Sequence, residues 1–232
     1  MTQFRPGRFE ILPMVIKNLL IINILIYLAQ YTIPETTFNF NNVFALHTGQ
    51  SDLFKPWQFF TYMFLHGGWY HVLGNMFALW MFGSTLENLW GPRRFLIFYI
   101  ICGLGAALCH MAVLYYENES LIREFYSMDP SLQQQYHGNL VQILNRSTKG
   151  ASGAVFGCLA AFGYLFPNDY VYIYFFPIKV KWFVVIYIGG ELYLQFQNSA
   201  GDGIAHMAHL GGALIGFLMV YFSKQNDQRS LY

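Results

Sequence analysis

Six long apolar runs, separated by shorter polar segments, constrain this chain more than any other feature of its sequence. A helix needs about 20 mostly apolar residues to cross the hydrocarbon core of a bilayer. We place such runs at 14–33, 69–89, 95–115, 150–166, 180–197 and 203–223. Hydrophobic residues make up 55% of the chain and charged residues only 11%, which is too little polar surface to cover a soluble globule. The sequence therefore predicts an all-α membrane protein with six transmembrane helices.

The distribution of Lys and Arg predicts how these helices are oriented. Nine of the 13 basic residues lie on one side of the predicted spans and four on the other, and short cytoplasmic loops normally hold the excess. We therefore expect a cytoplasmic N-terminal segment (1–13), a six-helix domain (14–223) and a cytoplasmic tail (224–232). The small size and the lack of extra domains favour a bacterial cytoplasmic membrane.

Composition also excludes some functions and describes the outer connections. A net charge of +1 without a basic stripe argues against a nucleic-acid partner. The three cysteines lie inside apolar runs, where we expect buried thiols rather than disulfides. The first outer connection carries an aromatic stretch at 54–61, which we expect to lie in the membrane interface. The second, 116–149, is polar and predicts a helix lying over the outer mouth.

Polar residues occur near the outer end of three predicted spans, where an ionisable group is costly and is a candidate for function. At 1.5 Å of rise per residue, Ser152 lies ~5 Å below the outer boundary and His209 ~10 Å below it. His71 and Asn75, which share one helical face, lie ~3 to 9 Å below it. A hydroxyl, imidazoles and an amide are therefore expected at one depth.

Together these groups have the chemistry of acyl transfer. A serine hydroxyl becomes nucleophilic when a neighbouring imidazole takes its proton, and Ser152 with a histidine of the sixth span supplies that pair. Asn75, His71 and the backbone N–H of Ser152 are candidate donors to an oxyanion. The sequence predicts a dyad without a carboxylate, because Asp202 and Glu191 are expected near the membrane edges.

Three motifs resemble those of the rhomboid proteases, in the same order along the chain. They are His71-x-x-x-Asn75, Gly150-x-Ser152-Gly153 and Ala208-His209-x-x-Gly212-x-x-x-Gly216. The resemblance covers the chain from about Phe54 to Phe222. It implies a six-helix rhomboid-like bundle in which the first outer loop lies sideways in the outer leaflet. It also implies an intramembrane endopeptidase without a cofactor, whose substrates are single transmembrane helices cut near their outer end at small residues.

Each histidine motif offers two candidates. The spacing to the glycines of its own motif favours His209 as the base. His206 is expected nearly a turn higher and closer to water, with at most a supporting role in steering solvent. The spacing to the asparagine favours His71 over His66 as the oxyanion donor. The motif glycines have supporting roles, and the spacing of Gly153, Gly212 and Gly216 fits close helix packing.

The chain departs from the commonest rhomboid pattern at two positions. Gln58 follows Trp57 where Arg is frequent, and a neutral amide cannot replace the charged fork of a guanidinium. Phe156 stands where Tyr is frequent, and its ring can still stack on the base imidazole. Glu87, at the inner end of the second span, is expected to bond a neighbouring loop or helix.

Other interpretations remain open at the level of the motifs. The glycines also fit simple helix packing, and Asn75 fits interhelical hydrogen bonding. The histidines could ligate a metal, but no carboxylate or thiol is expected to join them, so no metal is predicted. A catalytically inactive rhomboid relative that binds membrane proteins and a small transporter are the alternative functions. The apolar residues below Asn75 and Ser152 disfavour the transporter.

Overall fold

The computed structural model describes residues 9–173, 175–197 and 206–229, which form a helical bundle with two short β-pairs. The helices are α1 (Met14–Thr32), α2 (Phe40–Phe44), α3 (Gln58–Thr61), α4 (Trp69–Ala78), α5 (Ser84–Trp90), α6 (Pro92–Ser127), α7 (Pro130–Leu144), α8 (Ser152–Leu165), α9 (Val180–Gln197) and α10 (His206–Arg229). The strands are β1 (Leu46–His47), β2 (Ser147–Thr148), β3 (Tyr170–Ile173) and β4 (Phe176–Lys179). Parts of the predicted terminal segments and Asp202 lie outside the described residues.

Helices occupy the described part of each of the six predicted runs, which confirms the all-α membrane architecture. By length and composition, α1, α6 and the first 18 residues of α10 are long and apolar enough to cross a membrane, and α8 is a shorter apolar helix. A π-helical segment, Leu79–Gly83, joins α4 to α5, so the second run is one continuous helical stretch. The short α8 is the innermost helix, packed against α10 and α6.

The second outer connection contains a helix, as predicted, and also the end of α6. The third run was expected to end at residue 115, but α6 continues to Ser127. Arg123 Nε donates to Glu119 Oε1 at 3.2 Å, an exposed pair one turn apart that favours helix in this polar part. The helix α7 then follows and packs against α6.

The first outer connection is paired with the chain that leads into α8. Antiparallel pairing of β1 with β2 joins Leu46 to Thr148 and His47 to Ser147. A second antiparallel pair, β3 with β4, connects α8 to α9 and was not predicted. The β1–β2 pair matters for function because β2 ends four residues before Ser152.

Glu87 anchors the start of α1. Its two carboxylate oxygens accept hydrogen bonds from the backbone N–H groups of Val15 and Ile16, each at 2.9 Å. These donors belong to the first turn of α1, where no intrahelical acceptor is available and a negative charge is favourable. This confirms the expectation that Glu87 bonds a neighbouring helix.

Glycines allow α8 and α10 to approach at backbone distance. A Cβ atom placed on Gly212 would overlap the carbonyl oxygen of Gly153, and one on Gly216 would overlap the carbonyl oxygen of Gly157. Small residues permit this kind of crossing in membrane helices. All three cysteines are free thiols, as predicted; Cys102 and Cys158 are buried and Cys109 is partly exposed.

Candidate active site

Ser152 is the first residue of α8, and the chain that precedes it is fixed by long-range bonds. The N–H of Gly150 donates to the carbonyl oxygen of Tyr62 at 3.0 Å. Two residues earlier, the Thr148 hydroxyl is 2.7 Å from Nε2 of His110 on α6. Gly150 has a φ of 139°, in the region that favours glycine. The position of the Ser152 hydroxyl is therefore set by its surroundings.

Lys149 adds a further tie between the same loop and the first outer connection. Its Nζ donates to Asn41 Oδ1 at 2.8 Å. Burial lowers the pKa of this amine, and the carboxylate of Glu35 partly offsets the effect. The amine is partly buried, so this bond holds the loop against the outer connection.

The structure brings Ser152 and His209 into direct contact. Nε2 of His209, on α10, lies 2.8 Å from Oγ of Ser152. The ring of Phe156, one turn further along α8, stacks on the imidazole with 4.3 Å between ring centroids and 7° between planes. A hydroxyl within hydrogen-bond reach of an imidazole is the arrangement of an activated serine nucleophile.

The predicted absence of a carboxylate next to the base is wrong. Oε2 of Glu191, on α9, lies 2.9 Å from Nδ1 of His209 and 2.6 Å from Nδ1 of His206. All three side chains are nearly buried: 12% exposed for His209, 11% for Glu191 and 5% for His206. His206 is thus the least exposed of the three and bonds the carboxylate, contrary to the expectation that it lies closer to water.

A depth count would have detected Glu191. The fifth predicted span ends at residue 197, so Glu191 lies six residues before the predicted outer end, or ~9 Å down. This is close to the depth estimated for His209. Glu191 was expected at the membrane edge because charged residues usually mark the ends of spans. A paired carboxylate is, however, tolerated inside a bundle.

The same three residues are also a possible metal-ligating set. One ligand atom from each of Glu191, His206 and His209 lies within 4.8 Å of the others, and two imidazoles with a carboxylate can bind zinc. The N–O separations of 2.6 and 2.9 Å are those of charge-assisted hydrogen bonds. We therefore interpret the cluster as a hydrogen-bonded unit.

His71, on α4, lines the same cavity as Ser152. The backbone N–H of Gly67 donates to its Nδ1 at 3.3 Å, so the hydrogen of a neutral ring is assigned to Nε2. A Cβ atom on Gly150 would lie 2.9 Å from this Nε2 and 3.5 Å from the Ser152 hydroxyl oxygen. The donor of His71 and the hydroxyl of Ser152 therefore border the same small volume.

Asn75 lies one turn below His71 on α4 and lines the same cavity as Ser152. Its side chain is buried, and its Nδ2 has no hydrogen-bond partner among the described residues. Leaving a buried donor unpaired typically costs about 1–3 kcal/mol. Such a group is expected where a ligand oxygen supplies the missing acceptor.

The cavity that contains these groups has a volume of about 830 Å³. Its polar groups are Ser152, His209, His71, Asn75 and the loop before α8. Apolar side chains from α4, the π-helical segment, α8 and α9 form much of the remaining wall. They include Phe77, Ala78, Met81, Phe82, Leu159, Phe183 and Tyr187.

Two other candidate residues lie away from Ser152. His66 is buried and packs edge-on against the ring of His71, with 5.1 Å between centroids. Gln58 lies in the first outer connection, where its Oε1 accepts from the N–H groups of His47 and Lys55 at 3.2 and 3.1 Å. The neutral amide of Gln58 thus bonds the backbone of this loop without a guanidinium.

Comparisons with known proteins agree with the geometry. Residues 53–226 match the model of the Rhomboid domain. The chain is 29% identical over 176 residues to Rhomboid protein 1, mitochondrial, of Saccharomyces cerevisiae, which covers 72% of this chain and 43% of that protein. It is 29% identical over 170 residues to Rhomboid protease AarA of Providencia stuartii, a match that covers 70% of this chain and 54% of that protein.

A chloroplast protein is also similar. Rhomboid-like protein 11, chloroplastic, of Arabidopsis thaliana is 27% identical over 234 residues, covering 92% of this chain and 66% of that protein. The chain thus spans less than half the length of the yeast relative and about two thirds of the chloroplast one. The relatives include organellar proteins, so they do not support the expected bacterial membrane over an organellar one.

Proposed function

Because the chain belongs to the rhomboid family of integral membrane proteins, we propose that it is an intramembrane serine endopeptidase. Its reaction is hydrolysis of a peptide bond in a transmembrane segment, near the outer end of that segment. The observation that carries the proposal is the 2.8 Å separation between Oγ of Ser152 and Nε2 of His209. At this distance the imidazole can take the hydroxyl proton while the oxygen attacks a carbonyl carbon.

The reaction proceeds through an acyl-enzyme. Ser152 Oγ forms a bond to the carbonyl carbon, and its proton passes to Nε2 of His209. The imidazolium then protonates the leaving amine, which releases the C-terminal fragment of the substrate. Water attacks the ester with His209 again as base, which frees the N-terminal fragment and restores the hydroxyl.

The oxyanion of each tetrahedral intermediate has three donors in reach. These are Nε2–H of His71, Nδ2–H of Asn75 and the backbone N–H of Ser152, which lies in the first turn of α8. A first-turn N–H has no intrahelical acceptor. Donors that are already oriented stabilise the transition state without a reorganisation cost.

Substrates are proposed to be single transmembrane helices, since the apolar walls from α4 and α9 suit an apolar chain in a lipid environment. Substrate residues with small side chains fit the confined volume between Ser152 and His71. The reaction uses Ser152, His209 and water and needs no cofactor. We further propose that both termini face the cytoplasm, as the charge distribution indicates.

The alternatives predict different behaviour. An inactive relative that only binds membrane proteins has no need of a hydroxyl and an imidazole at hydrogen-bond distance. A transporter needs a polar path toward the inner face, but beyond Ser152 the cavity wall carries Phe82 and Leu159. The protease therefore accounts for more of the observed geometry than either alternative.

The proposal is tested with the full chain reconstituted into liposomes with a labelled single-span reporter protein. We expect the wild type to release two fragments, and mass spectrometry to place the cut near the outer end of the reporter helix. Ser152→Ala should bind the reporter but leave it intact. An intact reporter with the wild type, or equal cleavage by both proteins, would refute the proposal.

A further inference from the structure

We propose that Glu191 is a positioning residue for His209, so that the site operates as a Ser152–His209–Glu191 relay in which His206 holds the carboxylate. This inference rests on the proposed proteolytic function. The carboxylate comes from α9, the nucleophile from α8 and both histidines from α10. The relay therefore depends on how three separate helices pack.

The position of Glu191 calls for a specific reason, since a carboxylate in an apolar span is costly unless it is paired. Its Oε2 accepts from Nδ1 of both histidines, at 2.6 and 2.9 Å. Its side chain is 11% exposed, so little solvent competes for it. Two donors that converge on one oxygen fix the carboxylate more firmly than either donor alone.

The contact determines which nitrogen of His209 can act as a base. A carboxylate accepts hydrogen bonds and donates none, so it selects the tautomer with the hydrogen on Nδ1. Nε2 then carries a lone pair directed at Ser152 Oγ, 2.8 Å away. When Nε2 takes the serine proton, the imidazolium lies next to a negative charge, while Glu191 remains ionised throughout.

The restraints on His209 act on two sides of its ring. Phe156 stacks on the face, which fixes the plane of the imidazole. Stacking alone still allows the imidazole to turn within that plane. The hydrogen bond from Nδ1 to Glu191 prevents this motion. Glu191 thus supplies the restraint that Phe156 cannot.

Other titratable groups lie near His209 and must be separated from the effect of Glu191. Tyr187 is on α9 beside Glu191, and His206 is on α10. His71 on α4 and His110 on α6 interact electrostatically with His209. Substitution of Glu191 by Gln leaves all of them in place, so a shift in the pH profile reports the carboxylate.

The experiment compares Glu191→Gln with the wild type in liposomes, measuring kcat, KM and the pH dependence of kcat/KM on the reporter. The matched control is Glu87→Gln, which alters a buried carboxylate of a different span, bonded to backbone N–H groups of α1. His206→Leu removes the second donor to the Glu191 carboxylate and leaves both residues of the Glu191–His209 contact in place.

We expect E191Q to lower kcat by up to about 10⁴-fold, the loss typical of changing the orienting carboxylate of a serine protease to an amide, with KM within about twofold. The acidic limb of the kcat/KM profile should move to lower pH, because a negative charge has been removed from the site. E87Q should lower thermal stability without moving that limb, and H206L should reduce kcat less than E191Q.

An E191Q protein with wild-type kcat and an unmoved limb would overturn the inference while leaving the protease intact. If E191Q does not fold, Glu191→Asp is the second test, since it keeps the charge but shortens the side chain by one methylene and so moves the carboxylate away from His209. A lower kcat at unchanged KM would support the relay, and an unchanged kcat would overturn it. A wild type that leaves the reporter intact would overturn the relay together with the protease.

Discussion

Gly212 of α10 lies directly on the backbone of Gly153 in α8, so close that a Cβ atom on Gly212 would overlap the carbonyl oxygen of Gly153. Ser152 and His209 flank this crossing on their respective helices. Their hydrogen bond thus depends on glycine at both positions of the crossing, since any larger residue there would move the helices apart. The site is created by the packing of the bundle as much as by its polar residues.

We first predict that Gly212→Ala separates α8 from α10 and disconnects Ser152 from His209. Overpacking of a tight contact typically costs about 1–3 kcal/mol, so the unfolding temperature in detergent should fall and reporter cleavage should be lost. Gly189→Ala on α9 is the control, because its Cβ meets nothing within 4 Å. Full cleavage by G212A would contradict this role of the crossing.

Much of the bundle and of the site was predictable from the sequence. Apolar runs report span length directly, and counting residues from the ends of the runs gave similar depths to Ser152, His209, His71 and Asn75. Depth does not show which residues lie side by side in the plane of the membrane. That part of the prediction came from the family resemblance and from the glycine motifs. Depth and motif together were sufficient because every one of these residues lies near the start of its helix.

Glu191 was missed because it comes near the end of a helix, outside every motif, in a sequence that does not show which helices are neighbours. The extension of α6 to Ser127 was missed for a related reason. Its residues are polar and exposed, so hydropathy marks the end of the apolar run and not the end of the helix. In both cases the point where polar or charged residues begin was taken as the end of the membrane span or helix.

A second prediction concerns Asn75, whose buried Nδ2 has no partner among the described residues. Removal of one oxyanion donor typically lowers kcat about 10²- to 10³-fold, so Asn75→Ala should lose kcat with little change in KM. The control is Asn23→Ala, because the Asn23 amide donates within α1 to the Leu19 carbonyl. A kcat for N75A within twofold of the wild type would remove Asn75 from the oxyanion site.

The third prediction addresses the stacking of Phe156 on His209. Aromatic pairs contribute about 0.5–1.5 kcal/mol beyond the area they bury, which corresponds to a roughly two- to tenfold loss of kcat in Phe156→Leu. Phe156→Tyr keeps the ring and should retain wild-type kcat. Steady-state kinetics on the reporter distinguish the two variants. Equal rates for F156L and F156Y would show that the stack does not position the base.

Our fourth prediction is that Gln58 holds the first outer connection together. Its Nε2 donates to the Leu53 carbonyl at 2.9 Å, and its Oε1 accepts two backbone N–H groups. Gln58→Leu keeps the volume but leaves these backbone groups unpaired, at about 1–3 kcal/mol for the buried N–H of His47. Hydrogen exchange over residues 42–55 should therefore accelerate. Gln50→Leu, at a partly exposed side chain of the same connection, should leave exchange nearly unchanged; similar rates in both variants would contradict the role of Gln58.

Covalent labelling directly tests whether the Ser152 hydroxyl is an activated nucleophile. A fluorophosphonate probe should label the purified wild type at one residue, identified as Ser152 by peptide mass spectrometry. Ser152→Ala should not be labelled, and His209→Ala should be labelled far more slowly although it keeps the hydroxyl. Labelling of S152A as fast as the wild type, or no labelling of a folded wild type, would contradict the account.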